Sequence, residues 1–222
     1  MRNTTASIGC SFIALLALEA NAGAEQSFDV ADFTRVAASQ GVEVNVTMGS
    51  VPRVTASAET EKDLERLEIE VDDGELRIRR GSWPSSIWNW GKSYGNVSVN
   101  VVAPKLEGLS SSSGANLTVV DISCEELSID ASSGSRLDAS GRCEEIDVDA
   151  SSGASINARN LEADSVVVDA SSGANVDVFA ASDFQGDASS GANVDVYGTS
   201  QVFESDTSSG ARIARQGEPE LI

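Results

Sequence analysis

The sequence predicts an all-β fold, a parallel β-solenoid (β-helix) with coils of about 19–20 residues. Three observations predict it. Six Ser-Ser-Gly triplets recur, with glycines Gly114, Gly134, Gly153, Gly173, Gly191 and Gly210 separated by 20, 19, 20, 18 and 19 residues. Counting each glycine as position 0, the odd offsets are small or apolar. Position −3 reads Ser111, Ala131, Ala150, Ala170, Ala188, Thr207; position +1 reads Ala115, Ser135, Ala154, Ala174, Ala192, Ala211; position +3 reads Leu117, Leu137, Ile156, Val176, Val194, Ile213. From the second repeat on, position −7 reads Leu127, Ile146, Val166, Phe184, Phe203. The even offsets are polar: Ser throughout at −2, and Asp130, Asp149, Asp169, Asp187 and Asp206 at −4. A period of two marks strands with one buried face, and the β-branched residues rule against an amphipathic helix. Units of this length cannot bury their apolar face alone and must stack, each coil about 4.8 Å from the last.

From the amino terminus, residues 1–24 read as a secretory signal peptide. Arg2 opens a positive segment, Ile8–Leu18 is mostly apolar, and Ala22-Gly23-Ala24 offers small residues at a cleavage site. Glu19 is an unwelcome charge there, and Cys10 stands at the start of the apolar run, whereas a lipoprotein cysteine would follow it. Residues 25–222 form a single domain, and nothing later in the chain is long and apolar enough to span a bilayer.

Residues 28–105 are irregular coils. Val36 to Val44, with Gly41, repeats the later pattern in degenerate form. Ile69 to Ile78 reads as strand, turn, strand around Gly74. Taking Gly41, Gly74 and Gly114 as successive coil glycines gives spacings of 33 and 40, so these coils carry insertions. One insertion, Thr60–Arg66, reads as a short helix with Thr60 as N-cap. The other is the loop Gly81–Asn96. Residues 106–215 are the regular repeats. Each triplet is a corner: Gly permits the sharp bend, Ser side chains bond local backbone, and Ala at −3 and +1 fits the inside of the bend.

Cys124 and Cys143 each stand ten residues before a glycine, hence at one position of adjacent coils. Stacked Cα atoms suit a disulfide, which an exported chain favours; two buried thiols are the alternative. The five stacked aspartates repel one another. Each either bonds a neighbouring Ser hydroxyl or turn amide, or shares a calcium ion. The first reading is preferred, so no metal or cofactor is expected. Trp83, Trp88, Trp90 and Tyr94 gather in the Gly81–Asn96 loop. Exposed aromatics on such a loop suit sugar stacking or a protein contact, which makes them the candidate ligand- or partner-binding residues; alternatively they fold over the solenoid flank.

With 35 acidic and 15 basic residues the net charge is −20, which disfavours nucleic acid and anionic lipid as partners. Histidine is absent, which removes the commonest general base and metal ligand. Some parallel β-helices cleave acidic polysaccharides with calcium-binding Asp and an Arg or Lys base. Here the coils are shorter, and Arg136, Arg142, Arg159 and Arg212 form no cluster with the aspartate column, so no catalytic residue is assigned.

The signal peptide, the Phe33–Val36 and Gly41–Val44 strand pair, the Leu76–Ile78 strand, Val97–Val101 followed by Ala103-Pro104-Lys105-Leu106, and the Ser-Ser-Gly-Ala repeats together resemble the GIN-domain proteins, catalogued as autotransporter adhesin head domains of bacteria. The resemblance covers nearly all of residues 28–215 and implies a right-handed β-solenoid in the cell envelope, periplasmic or on the cell surface. No translocator barrel is visible at the carboxy terminus, so self-transport across an outer membrane is not expected. The expected function is a non-catalytic surface-binding or structural module, with an unknown protein or glycan of the envelope as partner. The alternative is an envelope-stress sensing or accessory domain acting through a protein partner.

Overall fold

The computed structural model describes residues 23–81 and 95–217. Its strands are β1 (Ala24–Phe28), β2 (Arg35–Ala38), β3 (Glu43–Met48), β4 (Arg53–Ala58), β5 (Leu67–Asp72), β6 (Glu75–Arg80), β7 (Val97–Ala103), β8 (Gly108–Ser111), β9 (Asn116–Ala131), β10 (Arg136–Ala150), β11 (Ser155–Ala170), β12 (Asn175–Ala188), β13 (Asn193–Tyr197), β14 (Val202–Thr207) and β15 (Arg212–Arg215). A single turn of helix, α1 (Glu61–Leu64), follows β4 with Thr60 in the N-cap position.

The regular repeats stack as parallel coils. β9, β10, β11 and β12 pair in sequence with like positions in register: Leu117 on Leu137 on Ile156 on Val176, and Asp130 on Asp149 on Asp169 on Asp187. β13 and β15 continue one arm of the stack, and β14 continues the other. The odd offsets form the core. Leu137, Ile146, Val166 and Val194 have no exposed surface, and Ile156, Val176 and Phe184 have 1%. In the last coil the same positions open: Phe203, Ala211 and Ile213 are half-buried and Thr207 is exposed.

At each corner the Ser at −1 and the Gly both adopt positive φ, 52° and 72° at Ser113 and Gly114. The Ala115 N–H donates to the Ser112 carbonyl at 3.1 Å, which closes a two-residue turn of type I′ character. The Gly114 N–H donates to the Ser133 carbonyl of the next coil at 3.2 Å. Turn backbone is thus paired to backbone, within the turn and between coils. The serine side chains of the triplets are not needed for it, contrary to the sequence expectation. At the corners, the serines that do bond backbone are two residues replacing alanine. Ser135 Oγ donates to the Ser111 carbonyl at 2.7 Å, and Ser111 Oγ donates to the Ala115 carbonyl at 3.2 Å. Both are buried, and the pairing leaves neither hydroxyl stranded.

The amino-terminal half differs from the sequence expectation in two ways. Gly74 is not a coil glycine. With Asp73 (φ 49°) it forms the hairpin turn between antiparallel β5 and β6. Nor do the coils stack in chain order. β2 lies between β6 and β8, and β3 between β7 and β9, so the coil made of β6 and β7 sits outside the earlier coil made of β2 and β3. Beyond it, β4 pairs antiparallel with β7, and β1 antiparallel with β4. This end is therefore closed by antiparallel strands, with Leu64 of α1 and Leu67 of β5 buried beneath them.

Cys124 and Cys143 face each other in register across β9 and β10, Cα atoms 4.6 Å apart, and are joined as a disulfide over 19 residues. Closing a loop of that size removes denatured-state entropy worth about 3 kcal/mol. Reduction is therefore expected to lower the melting temperature by about 10 °C. Peptide mapping without reductant, alongside melts with and without it, checks this; free thiols in oxidised protein would refute it.

Candidate functional site

Where the chain turns from one arm into the triplet, the surface is concave. A groove of about 530 Å³ runs along the stack there. Its floor is the alanine column at −3, Ala131, Ala150, Ala170 and Ala188, each 4% exposed. The aspartates at −4 line one side and the serines at −2 the other, with Ser110 extending the aspartate row into the first repeat.

The aspartates in this groove are not neutralised as the sequence reading supposed. Among the described residues, only Asp130 of the column has a side-chain hydrogen bond, from Ser128 Oγ at 3.2 Å. Asp149, Asp169, Asp187 and Asp206 have none, and among the described residues no group of three or more His, Cys, Asp or Glu is arranged to hold a metal ion. The reason is geometric. The +1 amides and those of Gly114, Gly134, Gly153 and Gly173 donate to turn carbonyls, and among the described residues no −2 hydroxyl is hydrogen-bonded to a carboxylate of the column. Burial, and then the carboxylates of Asp130, Asp147 and Asp169, hold the Asp149 carboxyl above its usual range.

A second ladder, not anticipated from the sequence, occupies position +4: Thr118, Asp138, Asn157, Asp177 and Asp195 in successive coils, all half-buried. It is knitted by donors. Arg136 Nε donates to Asp138 at 2.7 Å, Asn157 Nδ2 to Asp138 at 3.0 Å, and Gln216 Nε2 to Asp195 at 2.7 Å. Arg136 holds Asp138 below the usual carboxylate range. Asp177 lacks such a donor, and burial followed by Asp195 pushes it up, against the pull of Arg159. The repeated +4 offset is the signal that could have revealed this ladder.

These shifts give opposite pH dependences. A raised folded pKa, as at Asp149 and Asp177, contributes stability fully present below the unfolded value of 3.8 and lost as pH rises through the folded value. A lowered one, as at Asp138, contributes above the unfolded value and is lost as pH falls through the folded one. Asp149→Asn is therefore expected to raise the melting temperature at pH 7, by about 1 °C because the groove is solvated, and to bring no gain at pH 3. Paired thermal scans check this; an equal effect at both pH values would mean that charge is not the cause.

Trp83, Trp88, Trp90 and Tyr94 lie outside the described residues. Their flanks are described. β6 ends at Arg80, whose Nη2 donates to the Gly95 carbonyl at 3.1 Å, and β7 begins at Val97. β6 and β7 pair with β2 and β3, which a four-residue corner joins. Among the described residues no helix is long and apolar enough to cross a membrane.

A stack of parallel coils with a groove along one edge defines the chain as a parallel β-solenoid. The chain belongs to the family described as putative auto-transporter adhesin, head GIN domain, whose model matches residues 32–200. Solved structures share the fold at low identity. A protein described as a putative adhesin from Bacteroides fragilis has a TM-score of 0.64 at 12% identity, covering 87% of this chain and 96% of its own. Another so described, from Parabacteroides distasonis, has 0.60 at 16%, covering 88% and 94%. A protein described as a putative lipid binding protein, also from Parabacteroides distasonis, has 0.54 at 13%, covering 88% and 97%. No curated protein matches the chain.

Proposed function

We propose that this chain is a non-catalytic binding head of the bacterial cell envelope, exported by residues 1–24, whose groove docks an extended cationic or hydroxyl-rich segment of a protein or glycan. The observation that carries the reading is the row of five carboxylates, four of them without a side-chain donor, above an alanine floor. At strand spacing the five aspartates span about 19 Å, enough for an extended peptide of about six residues or a short oligosaccharide. Regular spacing on a rigid stack lets one chain meet several carboxylates without reorganising the protein. Family membership among adhesin heads supports binding over catalysis.

Titration with oligolysine, with oligoglutamate as control, and a glycan array test it. Binding of oligolysine or of an amino-sugar glycan is expected, weakening with salt and falling at least tenfold in Asp149→Asn/Asp169→Asn. Binding untouched by that variant, or none, would refute the groove. A second contact is the aromatic loop. If Trp88 and Trp90 meet the partner, replacing both with Ala weakens attachment and spares melting; if they cover the flank, melting falls instead. Fractionation into cytoplasm, periplasm, outer membrane and medium tests the location.

A further inference from the structure

The two ends of the stack are finished differently. Antiparallel strands close the end at β4 and β5, whereas the last coil, β14 and β15, has neighbours on one side only among the described residues. Phe203, Ala211 and Ile213 are half-buried there, while their counterparts one coil in, Phe184, Ala192 and Val194, are at 1% or less. The backbone of this coil has a defined polarity. The N–H groups of Ser208, Arg212 and Gln216 donate to Ala188, Ala192 and Val196 of the coil beneath. In a strand the N–H and C=O of one residue point the same way, and alternate residues point opposite ways. The main-chain groups of Phe203 and Ser205 on one arm, and of Ile213 and Arg215 on the other, therefore face away from the stack. The arms also differ in charge: β14 carries Glu204 and Asp206, and β15 carries Arg212 and Arg215.

We propose that this open coil pairs with the open coil of a second copy of the chain, about a two-fold axis through the corner Ser208–Ala211. Such an axis exchanges the arms, so β14 of each copy lies antiparallel on β15 of the other. Its register sets Ser205 against Ile213 and Phe203 against Arg215, residues whose main-chain groups all face outward. The same operation sets Asp206 against Arg212 twice, once on each side of the axis. Charge complementarity and hydrogen-bond parity thus agree on one arrangement. It is closed and isologous, and it satisfies two edges that would otherwise invite open-ended pairing. Within one chain the Arg215 guanidinium lies 4.2 Å above the centroid of the Phe203 ring and partly covers the end, so a single copy remains soluble and the association is reversible. One coil is a small contact, which places its dissociation constant at about 0.01–1 mM.

Sedimentation of the whole protein between about 10 µM and 1 mM, the range such a contact implies, is the test. A monomer–dimer equilibrium is expected. Ser205→Pro removes an N–H that the stack does not use, and should raise the dissociation constant at least tenfold with the melting temperature unchanged. Asp206→Arg should weaken pairing similarly by facing Arg212, and Asp206→Arg/Arg212→Asp should restore it. A protein monomeric at the highest concentration, a dimer indifferent to these changes, or growth into longer oligomers would overturn the proposal. So would a dimer seen only after deletion of residues 218–222, which would make that segment the occupant of the edge.

Discussion

Val176→Asp is expected to unfold the protein or abolish its accumulation. Val176 is 1% exposed and stacks between Ile156 and Val194 in the middle of the repeats. Every donor on its own strand is committed to the ladders on either side, so the carboxylate would be buried without a partner. That costs about 4 kcal/mol or more, a large part of the 5–15 kcal/mol that holds a typical domain together. Position matters too. Each coil touches only its neighbours, so damage at an inner coil removes two interfaces, where damage at the last coil removes one. Val176→Ala should cost less, about 1–3 kcal/mol, and Asp177→Ala on the opposite face very little. Circular dichroism melts of the three variants check the order. A Val176→Asp protein that melts like the wild type would contradict the inward assignment of position +3.

Gly141→Ala is expected to cost about 3 kcal/mol, although Gly141 lies outside the triplets. Its φ is +135°, and a Cβ built on it falls 2.2 Å from the Ile122 carbonyl oxygen and 2.5 Å from the Ile122 nitrogen, both backbone atoms. The register of β10 slips against β9 at Ala139/Gly141, two residues before Cys143, so the disulfide holds this bend from one side. A triplet glycine is the control. Gly134 has φ +67°, and its added Cβ would meet nothing within 4 Å, so Gly134→Ala pays only for the left-handed backbone, about 1 kcal/mol. Urea unfolding of the two variants measures the difference. Equal midpoints would show that the bend at Gly141 relaxes freely.

Which residues face inward was legible without any structure, because a strand's parity is a local property. The odd offsets of the Ser-Ser-Gly repeats name Leu117, Leu137, Ile156 and Val176 as core, and those four residues stack in register as one column. The corners, the β5–β6 turn and the helical turn after Thr60 were legible for the same reason, since each rests on a few adjacent residues. Stacking order was not. Val-x-Val stretches such as Val44–Val46 and Val99–Val101 have the same period and volume, so either can lie on either neighbour. Only the long-range packing of the whole stack put β7 outside β3 and reversed β4 upon it. The groove followed the same division. Sequence alone established that five aspartates and six Ser-Ser pairs form columns. Tertiary structure decided that the columns flank a concavity and that the +1 amides bond the −2 carbonyls. It also left the −2 hydroxyls unbonded to the carboxylates, because which polar groups meet on a surface depends on how the coils pack together as well as on their order in the chain.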